Sequence, residues 1–268
     1  MIKKLLFSLL LCSAACGQFW NNPAQKPWLG KQIDWGHPLA RDLVGCWLMN
    51  EGGGDKVQDL SGNGKHGTGS LIWTPGKSGP ALEMTGAAGN VDTQFDCSPY
   101  NEFTIITSVK TDSIVGTYYI ADQSDGSVGF GLRIVDEKLS FFCYSGGDAG
   151  HFYSNYSLVV GQWVQFACVH SANNTIYING VYDNTTASAL GIDDSSDTMR
   201  IGSEFDGDTH WDGLIEYLMI WNRALSVSEI AEHYQNPFCM FEPVFPVWWF
   251  GGIGAPPAGG GQFIMISN

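Results

Sequence analysis

From Asp42 onward, short runs rich in β-branched and aromatic residues alternate with Gly/Asp/Asn/Ser turns at intervals of roughly ten residues. No helical run interrupts them before residue 226. The runs include DLVGCWLMN (42–50), ALEMT (81–85), FTIITSVKT (103–111), YYIADQ (118–123), GFGLRIV (129–135), KLSFFCYS (138–145), QWVQFACVH (162–170), TIYINGVYD (175–183), MRIGSE (199–204) and GLIEYLMIWNRA (213–224). FTIITSVKT has period two: Phe103, Ile105, Thr107 and Val109 share one face, Thr104, Ile106 and Ser108 the other. Without βαβ alternation a parallel sheet is excluded. The pattern predicts an all-β protein of two antiparallel sheets, with a closed barrel as the competing arrangement. One short C-terminal helix is also predicted. Ser226 and Glu229 form a capping box, Ile230, Ala231 and Tyr234 give an apolar face, and Pro237 stops it.

The ends of the chain read differently. Residues 1–17, MIKKLLFSLLLCSAACG, run basic, apolar, small, which is the order of a secretory signal peptide. The predicted cut precedes Gln18; a cut before Cys16 would instead leave a lipid-modifiable cysteine and a surface lipoprotein. Residues 18–41, rich in Pro, Trp and Asn without a period, read as an arm or linker. Residues 237–268 hold a single charged side chain, Glu242, among Phe241, Phe245, Trp248, Trp249 and Phe250 and several prolines. Such a strip either folds back on the domain or docks on a protein partner. No later segment is apolar for long enough to be a transmembrane span.

Charge narrows the partners. The chain carries −14, and loss of the leader removes two lysines and no acids, which takes it to −16. A surface this acidic excludes nucleic acid bound through its phosphates and disfavours anionic lipid. Five cysteines lie beyond the leader: Cys46, Cys97, Cys143, Cys168 and Cys239. Export permits disulfides, and Cys143 with Cys168, both on predicted strands, is the expected pair, against two buried thiols. No CxxC and no Cys/His spacing typical of zinc occurs, nor any G-x-S-x-G, H-E-x-x-H or P-loop.

Several blocks together carry a family likeness. LVGCWLMNEGGGDKVQDLSGNGKHGT, GKSGPALEMTGAAGNVDT, GQWVQFACVHSANNTIYINGVYD and MRIGSEFDGDTHWDGLIEYLMIWNRALSVSEIAEHY follow one another in order. They resemble the laminin-G-like, concanavalin-A-like lectin/glucanase domains, over residues 42–236. The resemblance implies a two-sheet antiparallel jelly-roll sandwich. It also implies a calcium site, because members often bind calcium through the Asp of D-x-SGNG and an acid on a late strand. The matching residues here are Asp59 and Glu216, with Asn63 or the carbonyls of the 62–64 loop completing the shell. The bland alternative has Asp59 bonding its own loop amides and Glu216 facing solvent.

Two segments mix aromatic and polar groups as sugar sites do. GGDAGHFYSNYS (146–157) offers Asp148, His151, Tyr153 and Tyr156; EFDGDTHWDG (204–213) offers Asp206, Asp208, His210 and Trp211. Both are expected to be ligand-facing loops. Glu204 and Asp206 also resemble a glucanase acid pair, if they stand on one face of a strand. Asn155, Asn173 and Asn184 begin glycosylation sequons. The expected function is a secreted or cell-surface, non-enzymatic binder of a glycan or cell-surface polysaccharide, or an adhesion protein, supported by calcium. The alternatives are an assembly protein of an envelope or virion, docking by its tail, and a weak glycoside hydrolase.

Overall fold

The computed structural model describes residues 24–96, 100–145, 148–187, 192 and 197–241. The 1–17 leader, Cys97 and tail residues 242–268 lie outside the described residues. In chain order the strands begin with β1 (Leu43–Trp47), β2 (Lys56–Val57), β3 (Gly67–Thr68), β4 (Ile72–Pro75), β5 (Pro80–Thr85) and β6 (Val91–Asp92). Next come β7 (Phe103–Thr111), β8 (Thr117–Ser124), β9 (Gly129–Val135), β10 (Lys138–Ser145) and β11 (Asp148–Ser157). The series ends with β12 (Trp163–His170), β13 (Asn173–Ile178), β14 (Val181–Ala187), β15 (Arg200–Ile201) and β16 (Asp212–Trp221). Helix α1 (Val227–Gln235) follows.

The strands make two antiparallel sheets, as the alternation predicts. The first runs β14-β13-β12-β7-β16-β5-β4, with β1 also on β16; the second runs β11-β10-β9-β8-β15-β6-β3-β2. Period-two side chains place Phe103, Ile105, Val109, Phe166 and Cys168 of the first sheet against Phe130, Leu132, Ile134, Phe141 and Cys143 of the second. Each of these large apolar side chains contributes about 1.5–3 kcal/mol on burial. The helix has both halves of its capping box: the Ser226 hydroxyl accepts from Glu229 N–H, and the Glu229 carboxylate from Ser226 N–H. The turn joining β13 to β14 is Asn179-Gly180, with φ of 52° and 75°. Those values suit the tight hairpin turn that needs two left-handed residues. Asn173 and Asn174, which separate the runs 162–170 and 175–183 in the sequence, are the first residues of β13.

The two outward faces differ. On the first sheet, Ile106, Ala167, Val169, Tyr217, Met219 and Trp221 form a second apolar cluster with Ile33, Leu39, Ile230, Phe238, Met240 and Phe241. The arm, α1 and the turn after it therefore cover this face. Trp221 donates its indole N–H to Leu39 O at 2.6 Å. Asp34 N–H donates to Met240 O at 2.8 Å, and Ile33 bridges Phe241. The part of the apolar tail that is described, Pro237 to Phe241, belongs to this cover.

Cys143 and Cys168 are thiols, in place of the expected disulfide. They stand on opposite sheets and face one another in the core. Burial first, and then Cys143, push the Cys168 thiol well up.

Candidate functional site

The outward face of β8–β11 has no third layer over it among the described residues. Register builds it row by row. Tyr119, Arg133, Ser140 and Tyr153 lie side by side across β8, β9, β10 and β11. In the next row Arg200, Asp122, Gly131, Phe142 and His151 stand in line. Tyr144 follows, opposite Gly129. The residues one step out of phase, Phe130, Leu132, Phe141 and Cys143, fill the core. Alternation, reset in β8 by a bulge between Tyr119 and Ala121 that turns both Ile120 and Ala121 inward, sorts these strands into an apolar inner face and an aromatic, charged outer one.

Arg133 is the centre of the outer face. Its guanidinium sits 4.7 Å from the Phe142 ring centroid and 5.4 Å from that of Tyr119. It donates to Tyr119 Oη at 2.7 Å and to His151 Nδ1 at 3.1 Å. Phe142 packs edge-on against Tyr119 and Tyr144, and Tyr144 against His151. Phe142 is 1% exposed yet belongs to neither apolar cluster. What buries it is this ring-and-guanidinium group. Burial, and then Arg133, hold the His151 imidazole below its ordinary range, so it offers a neutral lone pair.

Acid residues border the group. Tyr119 hydrogen-bonds Glu204. Asp122 is fully buried, and its Oδ2 accepts from Phe205 N–H at 2.9 Å. Its Oδ1 has no partner. Burial raises the Asp122 carboxyl to about 7, with Glu204 adding to the rise and Arg133 opposing it. Aromatic rings, a flat cation, a neutral imidazole and carboxyl oxygens are the groups that hold a sugar: rings against its C–H faces, polar atoms on its hydroxyls.

The expected sugar residues divide. Tyr153 is 39% exposed and lies on this face. Tyr156 is half-buried and packs on the core instead. The segment 148–157 is not a loop but the edge strand β11, with His151, Tyr153 and Asn155 outward and Phe152 and Ser154 inward. Trp211 is fully buried in the core, so it is no sugar platform. It follows the turn that the Ser203–His210 bridge closes. His210 Nδ1 is buried without a partner. Asp206 Oδ1 accepts from Asp208 N–H at 3.0 Å, which stabilises that turn. Glu204 and Asp206 therefore do not share a strand face as a glucanase pair requires; Glu204 turns to Tyr119 and Asp206 to its own loop. Tyr119, Asp122, Arg133, Phe142 and Tyr144 were not expected. The signal for Arg133, Phe142 and Tyr144 was present as the second parity of GFGLRIV and KLSFFCYS, whereas the bulge in β8 hides Tyr119 and Asp122 from any parity count.

The residues expected around calcium do not fit a shared ion. Both Asp59 oxygens are taken by Cys46 N–H, Ser61 N–H, Ser61 Oγ and Lys65 N–H, at 2.9–3.1 Å. Asn63 donates to Val44 O at 2.9 Å. Glu216, 1% exposed, accepts from Ser78 N–H and from Ser108 Oγ. Asp59 and Glu216 share no hydrogen-bond partner. Beside Glu216, the Lys26 ammonium of the arm donates to Glu216 O at 2.6 Å, to Met49 O at 3.2 Å and to Pro80 O. A lysine thus occupies a cage of three carbonyls beside two acids. Burial pulls Lys26 down to about 7, and Glu216, then Glu51, oppose it.

Comparison with known proteins agrees with this architecture. Residues 85–231 match the family described as the concanavalin A-like lectin/glucanases superfamily. No curated protein matches the chain. Among solved structures, the binding domain of Paraclostridial Mosquitocidal Protein 1 superposes with a TM-score of 0.64 at 16% identity, over 75% of this chain and 53% of that one. The receptor-binding domain of botulinum neurotoxin type G gives 0.61 at 18%, over 72% and 51%. The chain thus spans about half the length of these toxin domains. Domain 4 of AbnA, a GH43 extracellular arabinanase from Geobacillus stearothermophilus solved with arabinotriose, gives 0.58 at 18%, over 71% of this chain and 97% of that domain. Identities this low establish a shared fold.

Proposed function

Because the chain belongs to the concanavalin A-like lectin/glucanase superfamily, we propose that it is a non-enzymatic carbohydrate-binding protein that seats its sugar on the outward face of β8–β11. The observation that carries this is the Arg133 guanidinium, stacked on Phe142 and bonded to Tyr119 and His151, on a sheet face over which the described residues place no third layer. Exposed His151 and Tyr153 extend the platform to the sheet edge. The arabinotriose complex of AbnA domain 4 supports the reading, since a domain of this fold, 97% of which superposes on this chain, was solved with an oligosaccharide bound.

Export to the cell surface or medium is part of the proposal, and rests on the leader of residues 1–17. A glycan array probed with the full chain tests the function. Binding of a defined set of oligosaccharides is expected, and an array with no bound sugar would contradict it.

A further inference from the structure

Away from the sugar face, three chemically different donors meet where the arm crosses the end of α1. His37 comes from the arm, Glu232 from α1 and Cys239 from the turn after it. Their ligand atoms all lie within 4.8 Å of one another. We propose that His37, Glu232 and Cys239 form a zinc site that clips the N-terminal arm to the C-terminal end of the domain.

The donor set selects the metal. A thiolate and an imidazole with one carboxylate suit zinc, whereas calcium takes six to eight oxygens. Bonds of about 2.0–2.3 Å place tetrahedral ligands roughly 3.3–3.8 Å apart. From 4.8 Å or less, closure needs side-chain shifts of about 1 Å and no movement of backbone. Glu232 is exposed, and His37 and Cys239 are half-buried. The open side leaves the fourth position to water.

The backbone around the site is already held. Asp34 N–H bonds Met240 O at 2.8 Å, and Cys239 N–H bonds Asn236 O at 3.1 Å. On the arm side, Arg223 reaches Pro38 O at 3.4 Å, and Trp221 reaches Leu39 O at 2.6 Å. Two terms oppose binding. Burial, then Glu232, raise the thiol to about 11, so it must release a proton to solvent as the metal enters. The His37 ring must also give up the bond that Nδ1 accepts from Leu39 N–H at 3.1 Å, if that nitrogen is the ligand. One such bond is weak beside a metal–nitrogen bond. No sequence spacing shows this site, because His37 and Cys239 are brought together only by the packing of the arm.

Cobalt(II) titration of the chelator-treated full chain tests the proposal, since a thiolate on cobalt gives a near-ultraviolet charge-transfer band. One equivalent of cobalt should develop the band, and zinc should bleach it. The band should vanish in Cys239→Ser, with the fold checked by circular dichroism. Glu232→Gln, an exposed change that keeps the fold, should weaken binding by more than roughly tenfold, the scale on which even supporting residues act. No band in the parent chain, a band that survives Cys239→Ser, or an affinity unchanged in Glu232→Gln would overturn the proposal.

Discussion

Gly131 lies directly opposite Phe142 across the β9–β10 ladder, and a β carbon at 131 would come 2.4 Å from the Phe142 ring and 2.7 Å from Asp122 Oδ1. The absent side chain is what lets the ring lie flat on the strand beneath Arg133. Gly131→Ala should lift Phe142 and break its contact with the guanidinium. Overpacking of this kind costs about 1–3 kcal/mol. Sugar affinity should fall with it, measured by titration of the sugar found on the array; unchanged affinity and unchanged Tm would remove Phe142 from the site.

Lys26→Ala leaves the carbonyls of Met49, Pro80 and Glu216 without their donor. Buried groups stripped of a partner cost about 1–3 kcal/mol, so the variant should melt several degrees lower. Added calcium should leave the Tm of the parent unchanged and restore part of the loss in the variant. A rise in parent Tm with calcium would show that the ion has a seat that Lys26 does not fill.

His233 is fully buried against Tyr217 and Trp221, and burial pulls its ring down to about 3. The unfolded ring takes its proton near 6.5. Between those values the unfolded chain binds more protons, so stability must fall as pH drops through that window. The loss amounts to at most about 5 kcal/mol over the whole window. From pH 7 to pH 4 the urea midpoint of the parent should fall relative to that of His233→Gln, which keeps the Asp122 contribution and lacks the ring. Equal slopes would mean that the ring is not held neutral.

Asp122 has the opposite sign. Its carboxyl is raised from 3.8 to about 7. The folded chain therefore holds a proton that the unfolded chain has lost, and stability falls as pH rises from 3.8 through 7. Asp122→Asn keeps an acceptor for Phe205 N–H and removes the charge. It should raise Tm relative to the parent at pH 8 and lose that advantage near pH 4. A variant less stable at both values would place Asp122 among groups that need their charge.

Much of the fold was legible because period two survives in almost every strand, and because Ser226 and Glu229 mark the helix start unmistakably. The site was less so. In β11 the Gly, Asp, Asn and Ser of GGDAGHFYSNYS suggest a loop, although His151, Phe152, Tyr153 and Ser154 alternate outward and inward. Trp211, beside a turn full of acids, passes for a surface ring, yet the chain returns to the core at that residue. Phe141 and Phe142 look alike in the sequence, and only the register across β9, β10 and β11 shows that one fills the core and the other carries Arg133. Nor does spacing reveal that Lys26 ends beside Glu216, a contact between residues 190 positions apart.

The central claim is that sugar is bound on the outer face of β8–β11, through Arg133. The most direct test is isothermal titration of the tightest array sugar into the parent chain, into Arg133→Ala, and into Trp28→Ala, which alters an exposed ring on the arm. Loss of one charge-assisted contact corresponds to about 1.5–3 kcal/mol, so Arg133→Ala should bind at least about tenfold more weakly while Trp28→Ala binds as the parent does. Equal affinity in the parent and Arg133→Ala, or a loss confined to Trp28→Ala, would contradict the assignment of this face.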